Sequence, residues 1–216
     1  MTLESKLGAG ISQLEVEVDA ETRQRLLEYI VLLEKWNRVH NLTAVRDPEE
    51  MVTLHLLDSL SILTHVNELV PSTATEDGGR LLDVGSGAGL PGVVLALVRP
   101  DLNVTTMDSS HKKAGFMRQA KAVLGLANLE VVCGRVEAYK PERKFDVIVS
   151  RAFSEISEFI RLTRHLLADG GVWLAMKGVY PYDELAQAKN VTSEVVELHV
   201  PGLEARRHLV ILKAEK

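Results

Sequence analysis

A chain of 216 residues lies near the soft upper size of one domain, and at 46% apolar content it can bury a full core without the internal disulfide that its single cysteine, Cys133, excludes. A formal charge of −5 makes the molecule as a whole no electrostatic magnet for polyanions, so nucleic acid has to be met by a local patch. The longest apolar runs reach roughly half of what a membrane-spanning helix requires, and no basic start leads into an apolar segment, which predicts a soluble, cytoplasmic protein.

In chain order, apolar residues Leu26, Ile30, Leu33 and Trp36 recur at three and four and predict an amphipathic helix over residues 19–40, with Asp19 as its cap. A second helix is expected from Asp47-Pro48-Glu49-Glu50, where the acid caps and Pro48 takes the first helical position, to about residue 69. These form a helical extension, residues 1–70, ahead of a core expected over 71–216. Small and polar residues between Pro71 and Gly79 mark a flexible connection. From residue 80 strand and helix alternate. Strands are read in the short apolar run from Arg80 that ends in the acid Asp83 and at 103–107, 129–133, 145–149 and 172–176, and helices notably at 110–124 and 155–167. Cys133 is expected as a packed strand residue. Two last strands, 195–200 and 207–212, are separated by Pro201-Gly202 and a few polar residues, too short for a crossover helix, so the parallel sheet should end in an antiparallel hairpin. This is an α/β doubly wound pattern, and such sheets bind ligands beyond the carboxyl ends of their strands.

The informative stretch is Asp83-Val84-Gly85-Ser86-Gly87-Ala88-Gly89-Leu90-Pro91-Gly92, a strand end, a tight turn and a helix start. A dinucleotide fingerprint wants a third glycine three positions after the second, and Leu90 stands there instead. Asp83 would repel a phosphate but suits a ligand with positive charge near the turn; S-adenosylmethionine, with its ammonium and sulfonium, fits. Asp83 is thus read as facing the cofactor, or else as fixing the turn. Asp108 ends the second strand, 23 positions after Gly85, where an acid accepts from ribose hydroxyls; the alternative is a helix cap. Val136 and Glu137 follow the third strand, where an adenine edge would lie. Arg151 follows the fourth strand, to contact the cofactor carboxylate or the substrate, or to make a surface ion pair. Lys177 ends the fifth as a second cation facing the same crevice, or solvent. The Asn or Asp followed by prolines that holds an exocyclic amine in many methyltransferases is absent at Ser150-Arg151-Ala152-Phe153. Lys112, Lys113, Arg118 and Lys121 on one helix and Arg206-Arg207-His208 on the last hairpin offer a polyanion patch beside the crevice, or a solvated face. His55 and Asp58 lie three apart without a third ligand, so no metal site is expected.

Taken with Trp36-Asn37, Asn41-Leu42-Thr43, Arg46-Asp47-Pro48, His55-Leu56-Leu57-Asp58-Ser59, Asp108-Ser109, Arg135-Val136-Glu137, Ser150-Arg151-Ala152-Phe153 and Arg207-His208-Leu209-Val210, the glycine stretch resembles the bacterial RsmG (GidB) methyltransferases from about residue 25 to the end. The first 20 or so residues match no recognisable pattern. The resemblance implies a class I, Rossmann-like methyltransferase: a mostly parallel seven-stranded sheet with a C-terminal antiparallel hairpin and an N-terminal helical extension. It implies methylation by S-adenosylmethionine of N7 of one guanine in the helix 18 loop of 16S ribosomal RNA; separately, the modest net charge favours RNA presented within the 30S subunit, and a monomer is expected. Cofactor contacts of the family fall on the positions of Gly85, Leu90, Val136, Glu137 and Arg151, beside Asp83, Gly87 and Asp108 from the turn argument. Arg151 and Lys177 would act on the substrate. Guanine N7 carries a free lone pair, so no general base is expected. A small-molecule methyltransferase and a non-catalytic nucleotide-binding module are the rival readings.

Overall fold

Before any strand forms, the chain builds a helical layer; the computed structural model describes residues 2–72 and 78–215. Helix α1 (Leu3–Leu14) occupies the stretch that matches no known pattern. Thr2 caps it, the hydroxyl accepting from the Ser5 N–H at 3.1 Å, and Leu7, Gly10 and Ile11 are buried. Gly10 is there for space: a Cβ would stand 2.4 Å from Leu57 Cδ1. Helix α2 (Ala20–His40) starts where expected, Asp19 accepting from the Thr22 N–H at 2.7 Å, and ends on Asn41 in the left-handed region at φ 48°.

Helix α3 (Pro48–Met51) has Asp47 as cap and Pro48 in its first turn, as the sequence predicts. It runs into a π-helical turn (Val52–Leu57), then α4 (Asp58–Leu60) and α5 (Leu63–Leu69), so the one helix expected to residue 69 is in fact three segments and a π-turn. Most of the connection from Pro71 to Gly79, residues 73–77, lies outside the described residues.

Strand β1 (Arg80–Val84) leads through the glycine turn into α6 (Gly92–Val98), with Pro91 as its cap. There follow β2 (Asn103–Asp108), α7 (His111–Val123), β3 (Leu129–Cys133), β4 (Phe145–Arg151) and α8 (Ile156–Thr163). The expected helix 155–167 ends early because a 3₁₀ turn (Arg164–Leu166) intervenes and β5 (Leu167–Lys177) already starts at Leu167, its pairing with β4 irregular between Phe145 and Val147. A short helix α9 (Tyr182–Gln187) precedes β6 (Val191–Leu198) and β7 (Arg207–Ala214). The strand order is β3-β2-β1-β4-β5-β7-β6; β7 is antiparallel to both neighbours and the remaining pairs are parallel, as expected.

Alternation along the strands gives each face of the sheet its own core. Leu81, Val147, Val149 and Leu209 pack with Leu26, Tyr29 and Leu57 of the helical layer, Val93 of α6 and Phe116 of α7. Leu82, Ile148, Trp173 and Val210 pack on the other face with Ile156 and Phe159 of α8. The helical extension and the sheet thus share one continuous hydrophobic cluster.

Candidate cofactor and substrate site

Strand β1 lies between β2 and β4, so the chain leaves it in one direction and returns on the other side, which opens a crevice at its carboxyl end. A cleft of ≈ 360 Å³ occupies that point, lined by Val84, Gly85, Met107, Asp108, Gly134, Val136, Glu137, Phe153 and Leu162 among others. Gly85 has φ 69°, and a Cβ there would meet Phe153 Cδ2 at 2.5 Å, so only glycine lets the ring close over the turn.

The turn is held by hydrogen bonds on every side. The N–H groups of Gly85 and Ser86 donate to the Met107 carbonyl at 2.9 and 3.0 Å, and the Ser86 hydroxyl donates to the Asp83 carbonyl at 2.8 Å while accepting from the Met107 N–H at 3.1 Å. From the helical layer, the buried Tyr29 hydroxyl donates to the Ala88 carbonyl at 2.7 Å. A phenol so enclosed is driven well above its usual pKa by burial, so it stays a donor.

The helix cap that the sequence offered as the alternative for Asp108 is Ser110 instead, and Asp108 stands just ahead of it. Its Oδ1 accepts from the Ser110 N–H at 2.9 Å, bracing the entry to α7, and its Oδ2 accepts from the Gly87 N–H at 3.0 Å, with Lys113 Nζ at 3.6 Å. A carboxylate has about four acceptor sites, so two remain for ribose hydroxyls, and the group lines the cleft. Val136 and Glu137 sit on a 3₁₀ turn (Val136–Ala138) across from it, Val136 buried and Glu137 exposed. An apolar wall with carboxylates at its rim suits an adenosine: a flat base against Val136 and hydroxyls toward the acids.

Other expected residues lie elsewhere. Asp83 is fully buried on the helical face, Oδ2 accepting from the Gly92 N–H at 2.8 Å; burial raises its carboxyl to about 7, and Oδ1 has no partner among the described residues. Leu90 is a core residue of the helical face. Gly87 contributes its N–H to Asp108 and does not line the cleft.

Arg151 and Lys177 do not face one crevice. Arg151 pairs in register with Met176, one residue before Lys177, so the two side chains project from opposite faces of the sheet. Arg151 turns to the helical layer, donating to the Leu54 carbonyl and to Asp58 Oδ2, both at 2.9 Å. Lys177 turns to α9, donating to Glu184 Oε2 at 2.7 Å and the Ser154 carbonyl at 3.0 Å.

Sequence reasoning missed what holds Arg151. Asp58 is 3% exposed and also accepts from Arg207 Nε at 3.1 Å, so one buried carboxylate joins two guanidinium groups. The π-turn arranges this: the Asp58 N–H bonds the Thr53 carbonyl, five residues back, and the Leu54 carbonyl takes Arg151 instead. His55, three residues before Asp58, serves another contact, its Nε2 3.0 Å from Thr43 Oγ1; burial and then the charge of Arg151 lower its pKa to about 4, so the ring is neutral. Among the described residues no cluster of three or more His, Cys, Asp or Glu is placed to hold a metal. Ala152, next to Arg151, takes the left-handed conformation at φ 55°, an uncommon backbone for a residue with a Cβ.

Of the basic residues, Lys113 lines the cleft, whereas Lys121, a turn from the far end of α7, lines a separate cleft with Arg80 and Asn128 at the amino ends of the strands. Cys133 is a strand residue but only half-buried, its Sγ 3.4 Å from His111 Nδ1.

A family model described as GidB, rRNA small subunit methyltransferase G, matches residues 22–210. The ribosomal RNA small subunit methyltransferase G of Methylobacillus flagellatus is 59% identical over 214 residues, covering 99% of this chain and 100% of that protein. Among solved structures, MtNAS in complex with MTA and tNA matches with a TM-score of 0.59 at 15% identity, over 99% of this chain and 86% of that one. The DhpI-SAH complex matches with a TM-score of 0.55 at 14% identity, over 92% and 99%. At such identities the likeness is one of fold, that of the class I methyltransferases. No helix of the described residues is long and apolar enough to cross a membrane.

Proposed function

The chain belongs to the rRNA small subunit methyltransferase G family, and from that premise we propose that it transfers a methyl group from S-adenosylmethionine to N7 of one guanine in the helix 18 loop of 16S ribosomal RNA, acting in the cytoplasm as a monomer on the 30S subunit. The observation that carries the reading is the cleft at the tip of β1 and β2, with an apolar floor and two carboxylates at its rim.

Asp108 and Glu137 would hold the ribose and adenine of the cofactor, Val136 would pack on the base, and the backbone of Gly85 would let the ligand approach. When bound, the cofactor supplies an electrophilic methyl on a sulfonium. Everything else falls to positioning. Guanine N7 offers a lone pair without a proton to remove, so the chain needs no general base, and the tip of β4 supplies none: Ser150, Arg151, Ala152 and Phe153 contain no carboxylate. In-line alignment of two reactants in a site closed to water supplies about 7–11 kcal/mol of barrier reduction. Phe153, closed over Gly85, is the side chain that shields the turn. Arg151 is held by Asp58 and Leu54 at the end of β4, and Lys177 by Glu184 at the end of β5; we assign both to the target nucleotide, from opposite sides of the sheet edge.

Strand scission at N7-methylguanine tests this. Small-subunit RNA incubated with enzyme and cofactor should break at one guanine of the helix 18 loop, in particle or naked form. No scission in either form, or scission at another nucleotide only, would reject the assignment.

A further inference from the structure

Beyond the cofactor cleft, at the same rim of the sheet but on the far side of β5, lies a pocket of ≈ 600 Å³ lined by Val179, Tyr180, Tyr182, Glu197, Arg206 and His208 among others. Its size is within the ~300–1,000 Å³ of small-ligand sites. Its chemistry is distinctive. Tyr180 sits edge-on to His208, ring centroids 5.6 Å apart at 80°, and Tyr182 lies on Tyr180 at 4.2 Å and 35°, which makes a ladder of three rings rising from the sheet. The outermost ring is left to solvent: Tyr182 is 73% exposed and is the one exposed Phe, Trp or Tyr among the described residues, beside Val179 at 81%. At the foot of the ladder His208 is 5% exposed, and its Nδ1 has no hydrogen-bond partner among the described residues. A cation stands at the mouth. Arg206 reaches Glu197 only at 4.0 Å and both are well exposed, a pair that water weakens and that leaves the guanidinium open to a stronger partner.

We infer that this pocket is a second RNA site, in which an unpaired nucleotide next to the target guanine stacks on Tyr182, its phosphate meeting Arg206. A ring face and an adjacent cation are the elements by which single-stranded RNA is held, each base offering a π-face and each linkage an anion. Position agrees with chemistry. His208 pairs in register with Lys177, and Lys177 donates to the carbonyl of Ser154, the residue after Phe153, so the pocket and the cofactor cleft are separated by the end of a single strand. A loop whose target base is turned into the cleft therefore presents its neighbour at this ladder. The inference rests on the proposed activity toward RNA and deepens it by naming where the flanking nucleotide goes.

The test is fluorescence anisotropy with a 5′-labelled hairpin RNA carrying the helix 18 loop, and with a control hairpin whose loop residues are fully paired, alongside calorimetry of cofactor binding and a methyl-transfer assay. Tyr182→Ala should weaken binding of the looped hairpin roughly tenfold or more, since base stacking on an aromatic side chain is worth a factor of that order, while Tyr182→Phe stays within about twofold of wild type. Arg206→Ala should flatten the dependence of log affinity on log salt by about one phosphate contact. Cofactor affinity and melting temperature should be unchanged in all three, because the substituted side chains are exposed. Equal hairpin binding by wild type and Tyr182→Ala overturns the site, as does Tyr182→Phe behaving like Tyr182→Ala or an equal loss on the paired control. A wild type that sediments as a dimer and a Tyr182→Ala variant that sediments as a monomer would assign the ladder to a second copy of the chain and likewise overturn it. The two readings fail separately: wild type that methylates the RNA while Tyr182→Ala does so with an unchanged KM removes the ladder alone, and Tyr182-dependent RNA binding without methyl transfer removes the activity alone.

Discussion

Two aspartates flank the glycine turn and have opposite fates. Asp108 lines the cleft with acceptor sites to spare, whereas Asp83 is sealed beneath the turn against the helix start. Asp108→Ala should weaken cofactor binding by at least tenfold in calorimetry, the loss of a charge-assisted pair of hydrogen bonds at about 1.5–3 kcal/mol; an unchanged affinity would exclude the ribose role. Asp83 makes its own prediction through pH. Burial raises its carboxyl from 3.8 to about 7, so the folded chain binds this proton more tightly than the unfolded one. Its contribution is complete below about pH 4 and is lost as pH rises through 7, a slope of at most ~1.4 kcal/mol per pH unit. Urea midpoints of wild type should therefore decline relative to Asp83→Asn between about pH 4 and pH 7 and run parallel to it above, an asparagine oxygen still accepting from Gly92 throughout. Curves parallel over the whole range would mean that Asp83 is ionised throughout. The sequence made both aspartates visible, because acids at strand tips are few. It could not separate them: which face a strand-end side chain takes depends on a register that only the assembled sheet sets.

Strand alternation and one irregular helix decide the rest of the site. Lys177 looked like a companion of Arg151 because both end neighbouring strands; a one-residue offset in pairing sends them to opposite faces. The π-turn was equally hidden, since a 3.6-residue periodicity does not distinguish a helix from one with an inserted residue. Yet it delivers Asp58 and the Leu54 carbonyl to Arg151, 93 residues away for Asp58. Asp58→Ala should destabilise the protein by about 3 kcal/mol in urea denaturation, because two partly buried guanidinium groups lose their common anion. Arg207→Ala should cost clearly less, since Arg151 remains to neutralise Asp58. Helix α1 escaped notice for a different reason. Its Gly8 and Gly10 argue against a helix on propensity, and packing against Leu57 overrides them. The inner strands β1, β2, β4 and β5, in contrast, were readable, because strands buried on both faces are continuous apolar runs bounded by turns. Strand ends were less so: β4, β5 and β6 each extend beyond or start before the apolar run, through residues such as Arg151 and Gly170 that hydrogen bonding, not hydrophobicity, recruits.

At the scale of the whole molecule, a net negative protein is asked to bind RNA. Its affinity then depends on a few cations at the sheet rim, Lys113, Arg206 and their neighbours, and raising monovalent salt fourfold should weaken RNA binding about tenfold or more while leaving cofactor affinity nearly constant. Salt-insensitive binding would point to a small-molecule substrate. The helical layer matters here too, since its apolar residues and those of the sheet form one cluster.

The Tyr29 hydroxyl on Ala88 makes α2 a strut under the glycine loop that we propose receives the cofactor. Occupancy of the cleft and order in a helix that never touches it are then linked, and linkage runs both ways. Amide hydrogens along α2 should exchange more slowly once cofactor is added, and Tyr29→Phe should blunt that protection while costing about 1–2 kcal/mol of stability for the stranded carbonyl. The N-terminal layer would then work less as an appendage than as a sensor of whether the enzyme is loaded.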